Sequence, residues 1–375
     1  LPRNAVGSSF ESSTLMNSFV IGSHGAVGGL VVELLRQAGC EVACGNRTRR
    51  SPEERTAIID ARRPETIREF AQGHEVVVNC AGPSYLIGDA VAAALPAGVI
   101  YVDPFGGNAF DGDAGQQARI INVGCTPGLS GLLTRHLAGL LDDCESVMVC
   151  CGGREKGGVA GFADIILSTR AGYGHPNRMI IDGELADHEA SRWEAEDTDA
   201  FPDDAEVLRS VFVTDELRMV ARDCRIRRLN GLLVIPDRDS LLLKAMTHGD
   251  LDDHQELMQL FAEIDAAKSH LDSGRDHWFI LQVAARGTVD GRPVRTSISV
   301  RADNSSILTA ILIVQAVLLA LEAGCAPGVQ WGHEFLRVPA VLDALGMSGI
   351  EVRETPPTSV SAIPDWAEED DSGFI

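Results

Sequence analysis

The chain has 375 residues, 45% of them hydrophobic, enough for two to three domains with sizeable cores, and this excludes wholesale disorder. A formal charge of −22, from 32 basic and 54 acidic residues, repels phosphodiester backbones and anionic lipid surfaces, so no nucleic acid and no membrane is expected as a partner. Only Lys156, Lys244 and Lys268 are lysine and only Tyr85, Tyr101 and Tyr173 are tyrosine, so chemistry that needs either must draw on these six.

Residues 1–15 lack an apolar signal core, and Met16 reads as the natural start after a short tail. From 18 to about 124, short apolar strands alternate with amphipathic helices. Strands are predicted at 18–21, 41–44, 57–60, 75–80 and 98–103, and helices at 26–38, 64–72 and 88–95. This rhythm predicts βαβ units with right-handed crossovers, an α/β Rossmann fold with a doubly wound parallel sheet. After Gly128 the rhythm changes. A helix at 129–141 and a strand at 146–151 lead into a Gly-rich stretch, then into an acidic segment at 182–206 that reads as a solvated loop. Strands at 211–213, 232–235, 278–286 and 296–301 follow, with an apolar helix at 305–323 returning to the first domain. The expected organisation is a Rossmann domain at 16–125 plus 305–350, an inserted α+β domain at 126–304, and an acidic flexible tail at 351–375. No apolar run reaches the roughly 18 residues of a membrane helix; the longest, 307–321, is broken by Thr309 and Gln315. Nine scattered cysteines without CxxC spacing or clustered His predict reduced thiols, a cytoplasmic location and no metal.

The strongest motif is Gly22-Ser23-His24-Gly25-Ala26-Val27-Gly28, between the first strand and the first helix. Gly22 permits the tight turn, Gly25 lets backbone approach a pyrophosphate, and Gly28 lets helix pack on strand. Free N–H groups at the positive helix end then face phosphate oxygens, which predicts a dinucleotide site. The spacing is GxxGxxG, not GxGxxG. At the end of the second strand an NAD site places an acid for the ribose hydroxyl. Here Gly45-Asn46-Arg47-Thr48-Arg49-Arg50 has none and three arginines, and Arg47 is the candidate for the 2′-phosphate of NADP(H).

Several further motifs stand in register with this loop: Asn79-Cys80-Ala81-Gly82-Pro83, Gly98-Val99-Ile100-Tyr101-Val102-Asp103, and Gly124-Cys125-Thr126-Pro127-Gly128-Leu129-Ser130. With GxxGxxG and the Arg after the second strand, they make 17–345 resemble the saccharopine dehydrogenase (saccharopine reductase) family; 152–275 aligns poorly. The resemblance implies a Rossmann domain, an inserted substrate and dimerisation domain in a homodimer, and NADP-linked reduction of imines, with relatives that reduce polyketide double bonds. By position, Gly22, Ser23, Gly25, Ala26 and Val27 would hold pyrophosphate, with His24 a departure inside the loop. Arg47 and Thr48, beside Asn46, would hold the adenosine phosphate, and Asp60 would lie near adenine. Cys80, Ala81, Gly82 and Pro83 would run beneath ribose and nicotinamide. A second departure is Asp103-Pro104-Phe105-Gly106-Gly107, where many relatives keep an acid shortly after the Asp.

Short-chain dehydrogenases need Tyr-x-x-x-Lys, yet the fourth residue after Tyr85 is Asp89, after Tyr101 Phe105 and after Tyr173 Asn177. Reduction of a protonated imine asks less: positioning, a dry pocket and one proton source. Chain position nominates Tyr85 as donor, Asp103 as holder of an iminium charge and Ser84 as a substrate contact. In the second domain, Arg170 is a candidate carboxylate clamp and His175 a candidate proton donor, within a stretch that reads equally as a Gly-rich turn. Arg222, Arg225, Arg227 and Arg228 read as a solvated strand face, and Trp278 as core. The expected function is NADPH-dependent reduction of a C=N bond in a small-molecule, amino-acid-derived or specialised-metabolite substrate. Alternatives are a trans-acting enoyl (C=C) reductase and a non-catalytic NADPH-binding regulator.

Overall fold

The computed structural model describes residues 17–51, 55–61, 63–106, 115–155, 159–187, 198–201, 208–235 and 276–360, with Gln259, Ala262, Glu263 and Ala266. Lys156, Lys244, Lys268 and residues 361–375 of the expected tail lie outside these residues, as do 1–16.

The first half builds β1 (Asn17–Ile21), α1 (Ala26–Gln37), β2 (Glu41–Asn46), β3 (Thr56–Ile58), α2 (Pro64–Ala71), β4 (Val76–Asn79), α3 (Ser84–Ala94), β5 (Ile100–Val102) and β6 (Ala118–Ile121). In α1 the buried residues Gly28, Val31, Val32 and Leu35 follow the i, i+3, i+4, i+7 spacing of a single face. Strands β1 and β4 are buried on both sides, with Phe19, Ile21 and Val77 in one core and Val20, Val76 and Val78 in the other. That two-sided burial is what a helix-covered parallel sheet requires. Helix α3 begins four residues earlier than expected, because Pro83 needs no N–H and the helix starts directly behind it. Strand β6 was not foreseen; its four residues are too short a run to stand out.

Beyond β6 come α4 (Leu129–Ala138), β7 (Asp143–Arg154), α5 (Val159–Arg170), β8 (Gly174–Pro176), β9 (Arg178–Ile181), β10 (Glu184–Asp187), β11 (Leu208–Thr214), α6 (Asp215–Asp223), β12 (Arg228–Ile235), β13 (Trp278–Val289) and β14 (Arg292–Ala302). The chain closes with α7 (Ser305–Ala323), β15 (Gly328–Trp331), α8 (Gly332–Phe335), α9 (Val338–Met347) and β16 (Glu351–Ser359).

Seven strands form a parallel sheet in the order β15-β6-β5-β4-β1-β2-β3, so the winding direction reverses between β1 and β4. The doubly wound α/β fold is therefore present. A second, mixed sheet runs β10-β9-β12-β7-β13-β14-β16, with β11 and β8 at its side; β12 and β7 are parallel and the other pairs in this order antiparallel. One apolar core continues from α1 and the first sheet through α4 and α7 into β7, β13 and β14. Helix α7 has the length and hydropathy of a membrane span, yet ten of its residues are buried and it packs on α1.

Three expectations need correcting. Residues 351–359 are no flexible tail: they pair with β14 as the edge strand β16, whose polar sequence suits an exposed edge. The acidic segment is not wholly a solvated loop, since Glu184–Asp187 forms β10 and Phe201 packs on Trp278, itself in the core as expected. The four arginines do not share a strand face. Arg222 lies in α6, Arg225 occupies a turn at φ +55°, Arg227 pairs with Asp143 and Glu145, and Arg228 opens β12.

Candidate active site

The reversal between β1 and β4 leaves a crevice outside the carboxyl ends of these strands, the usual ligand position in open α/β sheets. The Gly22–Gly28 loop forms one wall. At φ +80°, Gly22 lies so close to the start of the 80–83 segment that an added Cβ would sit 2.7 Å from the Ala81 nitrogen. A Cβ on Gly28 would meet the Gly22 carbonyl oxygen at 2.2 Å, so the helix approaches the turn only as glycine. Gly25 is the N-cap of α1 and brings no side-chain cap to the first-turn N–H groups. The loop is tied down by its neighbours. Buried Asn46 donates to Ser23 Oγ at 2.6 Å and accepts from the His24 N–H at 2.9 Å. Arg50 donates to the His24 carbonyl and Arg49 to the Thr56 carbonyl. Arg47 and Thr48 remain exposed at the end of β2, while Asp60, two residues past the end of β3, sits near Arg63 at 3.9 Å.

From Gly22 the crevice is floored by Cys80, Ala81, Gly82 and Pro83, with a cis Gly82–Pro83 bond, leading to α3. Behind that segment lies a sealed hydrogen-bond network centred on Asp103. Its carboxylate accepts from Asn79 Nδ2 at 2.9 Å, Tyr101 Oη at 2.5 Å, Ser84 Oγ at 2.9 Å and the Phe105 N–H at 2.8 Å. Even so, burial pushes the carboxyl above its ordinary range. Asp103 is 0% exposed with both oxygens engaged, so the expected direct hold on a substrate cation is replaced by a role in fixing the 79–84 segment. Ser84 is likewise corrected: its hydroxyl turns inward to Asp103, away from any substrate.

Tyr85, in the first turn of α3, is the residue at the surface of this network. Its ring contacts Phe105 and Tyr173 at centroid distances of 6.1 and 6.2 Å, and its hydroxyl is buried with no hydrogen-bond partner among the described residues. Burial, and then the charges of Asp164, Asp103 and Asp215, push its pKa well up, so it stays a neutral O–H donor. Two neighbours come from beyond β6. Asp164 of α5 accepts the Tyr85 N–H at 3.4 Å, and burial reinforced by Asp103 raises its carboxyl well above the carboxylate range. Tyr173 bonds Asn122 at 2.5 Å.

His175, in β8, is 3.0 Å from Asp215, which Arg218 also reaches at 3.0 Å. Asp215 is in turn one of the charges that act on Tyr85. Arg170 ends α5 as an exposed residue. Sequence reasoning missed Asp164, Asn122 and Asp215. Asp164 carried a legible signal, being the one acid in the otherwise apolar run of α5; Asn122 carried none.

No protein-family model matches the chain, and no curated protein matches it. Among solved structures it is similar to a meso-dapdh mutant with DAP from Clostridium tetani, at 15% identity over 87% of this chain and 96% of that one, with a TM-score of 0.47. A C. glutamicum DAP dehydrogenase in complex with DAP is similar at 13% identity over 88% and 98%, with a TM-score of 0.44. An engineered D-amino acid dehydrogenase is similar at 12% identity over 88% and 96%, with a TM-score of 0.48.

Proposed function

We propose that the chain is an NADPH-dependent oxidoreductase that reduces a C=N bond of a small-molecule substrate, as its resemblance to the saccharopine dehydrogenase family implies. The observation that carries this reading is a continuous path along the carboxyl ends of the strands, from the phosphate loop at Gly22–Gly28 over residues 80–83 to the Tyr85 hydroxyl, which has no partner among the described residues. Residues of the Gly22–Gly28 loop and the N-terminus of α1 would hold the phosphates of a dinucleotide, and the 80–83 segment leading to Tyr85 its nicotinamide half. The loop fits such a group: glycines leave the backbone approachable, and Gly25 leaves the first-turn N–H groups uncapped by a side chain. Arg47, exposed at the end of β2, would take the 2′-phosphate, whereas Arg49 and Arg50 donate to the Thr56 and His24 carbonyls.

NADPH supplies the hydride. Around it, this chain's residues exclude water and hold one proton at Tyr85 Oη, within an aromatic wall of Phe105 and Tyr173. A sealed hydroxyl without a partner is destabilising by about 1–3 kcal/mol, and a substrate nitrogen accepting from it removes that penalty. Asp103 acts as a positioning residue through Ser84 and Asn79. Stopped-flow NADPH oxidation with panels of imines and enones tests the reading. Oxidation with imines is the expected result; oxidation with enones alone would move the assignment to the C=C reductase, and tight NADPH binding without turnover to the non-catalytic regulator.

A further inference from the structure

We propose that a second cavity of this chain is a binding site for a free α-amino acid with a branched apolar side chain, a reading independent of the reductase assignment above. The cavity, of about 400 Å³, lies between α4 and the turn from α8 into α9, and none of its lining residues belongs to the crevice. Its walls divide by chemistry. Leu132, Leu140, Leu336 and Val338 form an apolar lining, with Leu140 open to solvent. Arg135 and Glu334 supply one charge of each sign. Both are exposed, and neither side chain has a hydrogen bond or ion pair among the described residues, to the other included. His136 also lines the cavity but is engaged by Glu354 of β16 at 3.3 Å.

The observation that points to a ligand is His333. An added Cβ on Gly332 would sit 2.2 Å from the Asn122 carbonyl oxygen, so this glycine lets α8 close onto the end of β6, and the next side chain is carried inward. His333 lines the cavity with its side chain only 1% exposed, yet neither ring nitrogen has a hydrogen-bond partner among the described residues. Its Nδ1 stands 3.6 Å from Oε1 of buried Glu216, beyond hydrogen-bond length. Glu216 is fixed there: its Oε2 accepts from Ser130 Oγ at 2.9 Å, and its carboxyl presses on Gly131, where an added Cβ would lie 2.6 Å from Cδ. Nε2 is left without any counterpart. A buried imidazole without partners is a deficit that the surrounding protein does not fill. A ligand carboxylate fills it, shared between His333 and Arg135. A simple anion would also face the Glu334 carboxylate, whereas an α-ammonium group turns that charge into a partner. The third substituent of such a zwitterion then meets the four aliphatic side chains and covers Leu140.

The test is calorimetric titration of the full chain with L-leucine, for which a saturable heat is expected. Three analogues each remove one recognition element: isocaproate lacks the ammonium group, isoamylamine the carboxylate and glycine the side chain. Each is expected to bind about tenfold or more weakly than leucine. Arg135→Ala and Glu334→Ala, both at exposed positions that folding tolerates, are expected to weaken leucine by about the same factor. Leucine should also shift the His333 imidazole signals in nuclear magnetic resonance spectra of the wild type. Tyr85→Phe, in the crevice, should leave leucine affinity unchanged. Absence of a saturable heat overturns the proposal, and so do unmoved His333 signals or leucine binding that survives both charge substitutions. Binding lost in Tyr85→Phe but kept in Arg135→Ala overturns it as well, by putting the amino acid in the crevice.

Discussion

The two walls of the crevice are built on opposite plans. The phosphate loop is exposed only at Gly25 and Ala26 and made of backbone: Gly22, Gly25 and Gly28 act by what they lack, and the shape follows from close approach of main-chain atoms. The Tyr85–Asp103–Asp164 cluster is buried and made of side chains, with aspartates held where ionisation is disfavoured. A backbone site tolerates changes in the surrounding chemistry but not in shape. A side-chain site tolerates small changes in shape but not the loss of a proton or an acceptor.

The largest effect expected from this contrast is at Gly28. A methyl at 2.2 Å from the Gly22 carbonyl has only backbone to push against, so Gly28→Ala should destabilise by about 3 kcal/mol or more. It should abolish NADPH binding in calorimetry; stability within about 0.5 kcal/mol of wild type would mean that the loop yields freely. Next comes Arg47→Ala, expected to raise the NADPH dissociation constant about 10- to 100-fold, roughly 1.5–3 kcal/mol, and to leave NADH unchanged. Equal losses for both cofactors would remove Arg47 from the 2′-phosphate.

In the buried wall the signs of function and stability should part. Tyr85→Phe should slow the reduction at least tenfold, about 1.4 kcal/mol, yet raise unfolding stability by about 1 kcal/mol, because an unpaired buried hydroxyl is gone. A loss of both would mean that the hydroxyl has a structural partner.

The smallest effect is a slope. Asp164 has a raised folded value, so above the ordinary carboxylate range the folded protein keeps a proton that the unfolded chain has released. Wild-type stability therefore falls as pH rises through that window, by on the order of 1 kcal/mol per pH unit. The advantage of Asp164→Asn in urea unfolding should widen from pH 5 to pH 8; a flat difference would mean that Asp164 is ionised in the folded protein.

The same contrast explains what was legible in the sequence. The loop was, because glycines at fixed spacing between an apolar run and a helix leave few other structures open, and β1, α1 and α7 follow from their hydrophobic periods. Tyr85 and Asp103 could be placed by their position after strands. Their orientation could not, since nothing local says that Ser84 turns inward or that Asp103 gathers four donors. Asp164 lies 79 positions from Tyr85, and the contact depends on how α5 packs against α3, a tertiary fact that no local pattern encodes. Strands β6 and β16 escaped for a related reason: one is four residues long, the other polar and held by its pairing with β14.

The position of β15 has a consequence for how the chain reaches this state. Gly328–Trp331 is the last strand of the parallel sheet and pairs with Ala118–Ile121, laid down some two hundred residues earlier. On a ribosome, the β6 edge emerges unpaired and stays so while every strand of the second sheet except β16 is being synthesised. Order therefore matters: the first unit, begun first, is not closed until β15 is made, and a chain interrupted before 328 carries an open edge available to other chains.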